Sequence, residues 1–124
     1  MSDKVVDASA FAAIAFKEPN EESVRARLRG HRLFAPYLLP YEIANVCWVK
    51  MKRNRAARGA IFEQFTDSQS VPIELSDVEF PKVVELASRL DLSVYDASYL
   101  WLAHRLDAEL VTLDREMEKA AKRL

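Results

Sequence analysis

Four acidic residues lie where their neighbours would favour an apolar side chain. Asp7 directly follows two valines, and Asp114 follows the segment Leu-Val-Thr-Leu. Asp96 lies among aliphatic and aromatic residues, and Glu42 has leucine, isoleucine and valine neighbours. A buried ionised carboxylate is strongly disfavoured without a partner, so each must cap a helix, pair, take up a proton or bind a metal ion.

Carboxylates that converge in the folded protein favour a hard divalent cation. Two like charges about 4 Å apart repel by roughly 4 kcal/mol at an effective dielectric near 20, and a divalent cation offsets this repulsion. Oxygen ligands without histidine or cysteine favour magnesium or manganese over zinc. Such ions assist phosphodiester hydrolysis by activating water and stabilising both reacting oxygens. The alternative interpretation of each acid is ordinary helix capping or a place in a helix's first turn.

Short apolar strands that alternate with helices are predicted to position these acids. The predicted strands are 4–7, 31–35, 71–74 and 109–113. The predicted helices are 8–17, 21–29, 40–52, 56–66, 77–90, 96–106 and 115–122, with Asn20, Ser76 and Asp114 as N-caps. This alternation predicts an α/β/α sandwich around a mainly parallel sheet of four to five short strands. Ligands bind beyond the carboxyl ends of such strands, where Asp7 and Asp114 are expected.

Length and composition indicate one folded domain spanning residues 1–124. Hydrophobic residues make up 50% and charged residues 30% of the 124, which excludes general disorder. Eighteen basic and nineteen acidic residues give a net charge of −1, so any nucleic-acid binding must be local. The single cysteine, Cys47, suits a reducing compartment, and no apolar stretch approaches the roughly 20 residues of a membrane span. We therefore expect a cytoplasmic protein without a membrane anchor.

A local cationic cluster follows the helix that carries Glu42. The residues predicted to contact RNA are Lys50, Lys52, Arg53 and Arg55. The alternative is a solvated helix end, where cations are favoured by the helix dipole. The aromatic residues Trp48, Tyr95, Tyr99 and Trp101 are interpreted mainly as core residues, with base stacking as the alternative.

Four segments of the chain together resemble PIN-domain ribonucleases, and most closely the VapC toxins of type II toxin–antitoxin systems. The segments, in order, are Val5–Ser9, Pro40–Val46, Tyr95–Tyr99 and Leu110–Arg115. The resemblance covers nearly the whole chain and implies a PIN-like fold with a metal-dependent endoribonuclease site. It implies that Asp7, Glu42, Asp96 and Asp114 form the acidic site, supported by the polar residues Ser9, Asn45 and Thr112.

The resemblance also implies partners and products. A cognate VapB-like antitoxin would occupy the acidic groove, and the toxin would form a homodimer with paired grooves. Cleavage of RNA with magnesium or manganese would leave a 5′-phosphate and a 3′-hydroxyl.

Two other functions remain open at this point. One is a catalytically inactive PIN-like protein that binds RNA or acts as a scaffold. The other is a phosphoacceptor domain with Asp7 as the acceptor, although the acidic pair and late lysine expected of a receiver are not evident.

Overall fold

A parallel β-sheet lies at the centre of the computed structural model, which describes residues 2–124. The strands in these residues are β1 (Asp3–Val6), β2 (Arg32–Pro36), β3 (Glu74–Ser76) and β4 (Glu109–Val111). Their order is β3-β2-β1-β4, and each neighbouring pair is parallel. Val5 and Val6 in the central strand β1, and Val111 in its neighbour β4, are fully buried, as expected for a sheet covered on both faces.

Helices cover both faces of this sheet. They are α1 (Ala8–Ala15), α2 (Glu21–Leu28), α3 (Leu38–Arg53), α4 (Arg58–Ser68), α5 (Phe80–Leu90), α6 (Val94–Leu106) and α7 (Arg115–Lys122). The first helix, α1, packs against α2, α3 and α4, whereas α6 packs against α5 and α7. The predicted α/β/α sandwich with a parallel sheet of four short strands is confirmed.

The order of the strands creates a crevice at the carboxyl ends of β1 and β4. The chain steps from β1 to β2 to β3 in one direction and then crosses back to place β4 on the other side of β1. Connections on opposite faces of the sheet diverge at this reversal, and ligands of open α/β sheets bind there. Asp7 directly follows β1, while Thr112 and Asp114 follow β4.

The predicted structure of residues 71–79 is wrong in two respects. The strand predicted at 71–74 lies at Glu74–Ser76, where Ser76 pairs with Pro36 of β2. Pro72 has no N–H to donate to a strand ladder, which disfavours pairing in the earlier segment. Because Ser76 belongs to β3, it does not cap the next helix, and Glu79 precedes α5 instead.

Several helix boundaries also differ from the prediction. Helix α3 begins at Leu38, with Pro40 in its first turn, where a missing N–H leaves no helix hydrogen bond unmade. A short 3-10 turn, Arg55–Ala57, separates α3 from α4. Asn20 precedes α2 as predicted, but its side chain makes no capping bond. Within residues 2–124, no helix has both the length and the apolar character needed to cross a bilayer.

Candidate active site

Asp7 is a buried carboxylate held by three hydrogen-bond donors. Its side chain is 5% exposed at the end of β1. Oδ1 accepts from Ser9 Oγ at 2.7 Å and from the backbone N–H of Ala10 at 3.0 Å, which caps α1. Oδ2 accepts from the hydroxyl of Thr112. The donors are all neutral, so they fix both oxygens without removing the negative charge.

The two hydroxyls that hold Asp7 also connect β1 to the segment after β4. The backbone N–H of Leu113 donates to Ser9 Oγ at 2.9 Å, and that of Asp114 donates to Thr112 Oγ1 at 3.0 Å. Ser9 and Thr112, predicted from the sequence as supporting residues, thus contact Asp7 directly and are themselves held by backbone groups.

Asp114 is an exposed N-cap. Its Oδ1 accepts from the backbone N–H groups of Glu116 and Met117 at 2.8 and 3.2 Å, so the capping interpretation holds for this residue. Both bonds use Oδ1, so capping alone does not occupy the second oxygen, Oδ2. An N-cap role is therefore compatible with an additional role at the crevice.

Asp96 lies in the first turn of α6 but does not cap it. The side chain of Ser93 is the cap, because Ser93 Oγ accepts from the backbone N–H of Asp96 at 3.0 Å. The capping interpretation of Asp96 is therefore wrong, whereas the alternative of a place in the first turn of a helix agrees with the structure.

Glu42 is a half-buried carboxylate near the beginning of α3 and has a partner that the sequence analysis missed. The hydroxyl of Tyr99 donates to Glu42 Oε1 at 2.6 Å. Tyr99 is only 2% exposed, so it belongs to the core and cannot stack on a base. Tyr99 lies three residues after Asp96, on the same face of α6, and this spacing was the signal in the sequence that could have placed Tyr99 near the acids.

The four acids influence one another electrostatically. Burial is the main cause that raises the pKa of Asp7, and the charge of Asp114 adds to it, against the hydrogen bonds from Thr112, Ala10 and Ser9. Burial also raises the pKa of Asp96, with further contributions from Asp114 and Asp7.

The same pattern holds for the pKa of Glu42. Burial raises it most, the Tyr99 hydrogen bond opposes the rise, and the charges of Asp96 and Asp7 add to it. The acids therefore share one region of negative potential.

The donor set fits a hard cation more readily through water than by direct ligation alone. Within residues 2–124, no three His, Cys, Asp or Glu side chains are close enough together to hold a metal ion as they stand. Magnesium, however, takes one or two carboxylates directly and keeps several water molecules. Four acidic side chains that share one field and offer only oxygen donors have the ligand chemistry that hard divalent cations prefer.

The remaining residues predicted at the site lie along α3. Asn45 is exposed, one turn after Glu42. The ammonium group of Lys50 forms an ion pair within the protein, because its Nζ lies 2.9 Å from Glu18 Oε2. It also lies 5.3 Å from the centre of the Phe16 ring.

The other three predicted RNA contacts, Lys52, Arg53 and Arg55, are exposed. Lys52 lies over the ring of Trp48 at 5.2 Å. This leaves three of the four predicted cations facing solvent at the end of α3.

An apolar depression lies at the amino ends of three helices. It is lined by exposed rings: Tyr37 just before α3, Tyr41 on α3, Phe80 on α5 and Tyr95 on α6. Tyr41 and Tyr95 directly precede Glu42 and Asp96 in the chain. Contiguous exposed aromatic surface of this kind marks an interaction site.

Comparisons with known proteins agree with this fold. The profile of the PIN domain matches residues 4–123. Ribonuclease VapC3 of Pyrobaculum aerophilum is 30% identical over 118 residues, covering 91% of this chain and 90% of the relative. Exonuclease VapC9 of the same organism is 30% identical over 113 residues, covering 91% of this chain and 81% of the relative.

A solved structure is similar over nearly all of the chain. The crystal structure of PAE2754 from Pyrobaculum aerophilum superposes with a TM-score of 0.79 at 29% sequence identity, covering 98% of this chain and 86% of the other. The parallel four-stranded sheet between two layers of helices, together with these matches, identifies a PIN-type α/β protein. The chain belongs to the PIN-domain family, in its VapC group.

The mutual repulsion of the acids predicts how Asp96→Asn changes the stability of the metal-free protein. At neutral pH and without metal, this variant should be more stable than the parent protein, because it removes a charge that Asp114 and Asp7 repel. We expect a gain of about 0.2–1 kcal/mol, the range for partly solvated charge pairs. Thermal unfolding with a chelator present measures it.

The pH dependence of this gain gives a second check. A carboxyl group whose pKa is raised by folding stabilises the folded state below its ordinary pKa of 3.8 and loses that contribution as pH rises through the raised value. The gain from Asp96→Asn should therefore appear as pH rises and vanish in acid. Glu85→Gln, which removes an exposed charge in α5, is the control. Equal gains from the two variants would contradict repulsion within the site.

Proposed function

We propose that the chain is a metal-dependent endoribonuclease toxin that hydrolyses phosphodiester bonds of cytoplasmic RNA. Membership of the VapC group supports a nuclease toxin. The observation that carries the proposal is Asp7, a carboxylate that is 5% exposed, that neutral donors hold, and whose pKa is raised by burial and, to a smaller extent, by the charge of Asp114. A protein retains such an unneutralised buried charge at a site that has a use for it.

In this proposal Asp7 and Asp96 hold magnesium or manganese, and Glu42 and Asp114 complete its shell directly or through water. When bound, the ion supplies activation of a water molecule and stabilisation of the attacking and leaving oxygens. Ser9 and Thr112 orient Asp7, and Asn45 lies exposed near Glu42 as a polar support.

The chain's own histidines have no place in this chemistry. His31 bonds to Ser2 by its Nδ1, and His104 is exposed on the last turn of α6. In-line attack by water on phosphorus would leave a 5′-phosphate and a 3′-hydroxyl.

Asp7→Asn tests the site. Asparagine is as good an N-cap as aspartate, so α1 should remain capped while the negative charge is lost. We expect the variant to fold but to lose both stabilisation by manganese and RNA cleavage. Asp3→Asn, on the same strand, loses only an ion pair to Arg32 that is partly exposed, and serves as the control.

The substrate should be a circular RNA, with the cleaved ends sequenced. An endonuclease opens the circle, whereas an exonuclease, as the name of the VapC9 relative indicates for that protein, leaves it closed. Cleavage that survives in Asp7→Asn removes Asp7 from the mechanism. A parent protein that binds RNA without cleaving it supports the second candidate, an inactive PIN-like RNA-binding or scaffold protein.

A phosphoacceptor role for Asp7 has less support. Each oxygen of its carboxylate already accepts a hydrogen bond, and the side chain is 5% exposed, so an incoming phosphoryl group would have little access to either oxygen. The buried position therefore favours a fixed ligand over a nucleophile.

The exposed cations at the end of α3 are proposed to bind RNA phosphates. Replacing Lys52, Arg53 and Arg55 together with glutamine should weaken RNA binding and reduce the dependence of log affinity on log salt concentration by up to about two units. Binding titrations at several salt concentrations measure this slope. The same number of charges removed at Lys82, Lys119 and Lys122 is the control, and equal slopes for both triple variants would favour a solvated helix end.

We also propose that a cognate VapB-like antitoxin inhibits the enzyme by covering the acidic groove. Glu42 and Asp96 are each partly exposed and share a region of negative potential, which a segment that carries positive charge could bind. A bound segment there would exclude RNA without altering the fold.

A homodimer is the second proposed assembly, formed through the aromatic surface on α3, α5 and α6. Phe80→Glu places a charge in this surface, and an acid in the first turn of α5 is favoured by the helix dipole, so folding should be unaffected. We expect the variant to sediment as a monomer where the parent protein is a dimer. Phe62→Glu on α4 is the control, and dissociation by that variant alone would place the interface elsewhere.

A further inference from the structure

We infer that Tyr99 is a positioning residue that fixes one oxygen of Glu42 and leaves the other oxygen for the acidic site. This inference rests on the proposed function, because it gives Tyr99 a role at a site that binds a divalent cation. No metal ligand or RNA contact is assigned to Tyr99 itself.

The contact between Tyr99 and Glu42 joins two acid-bearing helices. Tyr99 OH lies 2.6 Å from Glu42 Oε1, a short bond typical of a hydroxyl that donates to a carboxylate. Among the side-chain hydrogen bonds of residues 2–124, this one alone links α3 to α6. The tyrosine ring is 2% exposed and packed in the core, so the hydroxyl has little freedom to move.

The helical spacing of α6 places the carboxylate of Asp96 and the hydroxyl-bearing side chain of Tyr99 on the same side of the helix. Asp96 and Tyr99 are three residues apart, so they share a face of the helix. The charges of Asp96 and Asp7 both act on Glu42, and their repulsion favours rotation of its carboxylate towards solvent. The hydroxyl of Tyr99 opposes this rotation because it holds Oε1 in place.

A neutral donor suits this position better than a cation would. Lysine or arginine would bind Glu42 more strongly, but its positive charge would cancel the negative potential that attracts a metal ion. Tyrosine donates one proton to one oxygen, so Oε2 keeps its lone pairs. Glu42 can then act through a single oxygen, directly or through a water molecule.

The alternative is that a buried tyrosine merely needs an acceptor for its hydroxyl. In that case the bond contributes to folding, and Tyr99→Phe lowers stability without changing metal binding. A positioning role changes metal binding as well, so the affinity for manganese separates the two.

The test is titration of Tyr99→Phe with manganese, followed by thermal unfolding, with the unfolding temperature in chelator as the metal-free reference. Loss of a group that orients a metal ligand typically weakens metal affinity by 10–100-fold, and we expect a loss in this range. In a Glu42→Ala background, Tyr99→Phe should cause no further loss of affinity, because the residue it orients is absent.

Two further variants complete the design. Tyr95→Phe removes a hydroxyl one turn earlier on α6, from a ring that is 63% exposed, and should leave manganese affinity unchanged. Glu42→Asp keeps the charge but shortens the side chain, so its carboxylate no longer reaches the position that Tyr99 fixes. It should lose affinity, and unchanged affinity would contradict a required position of Glu42 even if Tyr99→Phe fails to fold.

The outcomes separate this inference from the proposed function. Stabilisation of the parent protein by manganese, together with unchanged affinity in Tyr99→Phe or Glu42→Asp, overturns the positioning role alone. Absence of any stabilisation of the parent protein overturns the metal site and the positioning role together. A loss of affinity that persists in full in the Glu42→Ala background also overturns the inference, because the effect would then not pass through Glu42.

Discussion

Negative charge gathered at the carboxyl edge of the sheet is the constraint on which the site depends. Asp7 lies at its centre, and its burial makes the charged form costly. The structure meets this cost with neutral donors: Ser9, Thr112 and the amide of Ala10. Neutral donors stabilise a carboxylate and leave its negative charge in place, whereas a paired cation would neutralise that charge. The negative charge that makes the folded chain less stable is therefore also the charge that would attract a cation.

The same donors give the crevice its rigidity. Ser9 and Thr112 lie 103 residues apart in the chain, yet both contact Asp7, and both accept backbone N–H groups from the segment after β4. Tyr99 extends the pattern to Glu42, because its hydroxyl also donates to a carboxylate from a buried position. The hydroxyl groups that bind the carboxylates of Asp7 and Glu42 have fixed positions of their own. The carboxylate oxygens that they bind are therefore also fixed before any ligand arrives.

Local patterns in the sequence predicted the parts of this arrangement that depend on local chemistry. Two valines before Asp7 and the Leu-Val-Thr-Leu run before Asp114 indicated strands that end in acids, and a parallel sheet brings such ends to one edge. Long-range pairing decided the rest. β3 lies at Glu74–Ser76 because it pairs with β2. From the sequence, Tyr99 was interpreted only as a core residue, because the residue that accepts its hydrogen bond is 57 residues away. The ion pair between Lys50 and Glu18 likewise depends on how α1 and α3 pack.

In the proposed function, the length of α3 separates RNA binding from the chemistry at the acids. Ten residues at a rise of about 1.5 Å each place Lys52 roughly 15 Å along the helix from Glu42. At that distance, which exceeds the Debye length of about 8 Å at physiological salt, exposed cations contribute little to the potential at the acids. The cationic end of α3 can therefore attract phosphates of a bound strand without neutralising Asp7 or Glu42. In the proposed function, charge at the phosphate that reacts would instead be balanced at the acidic edge, by the divalent ion that the carboxylates would hold.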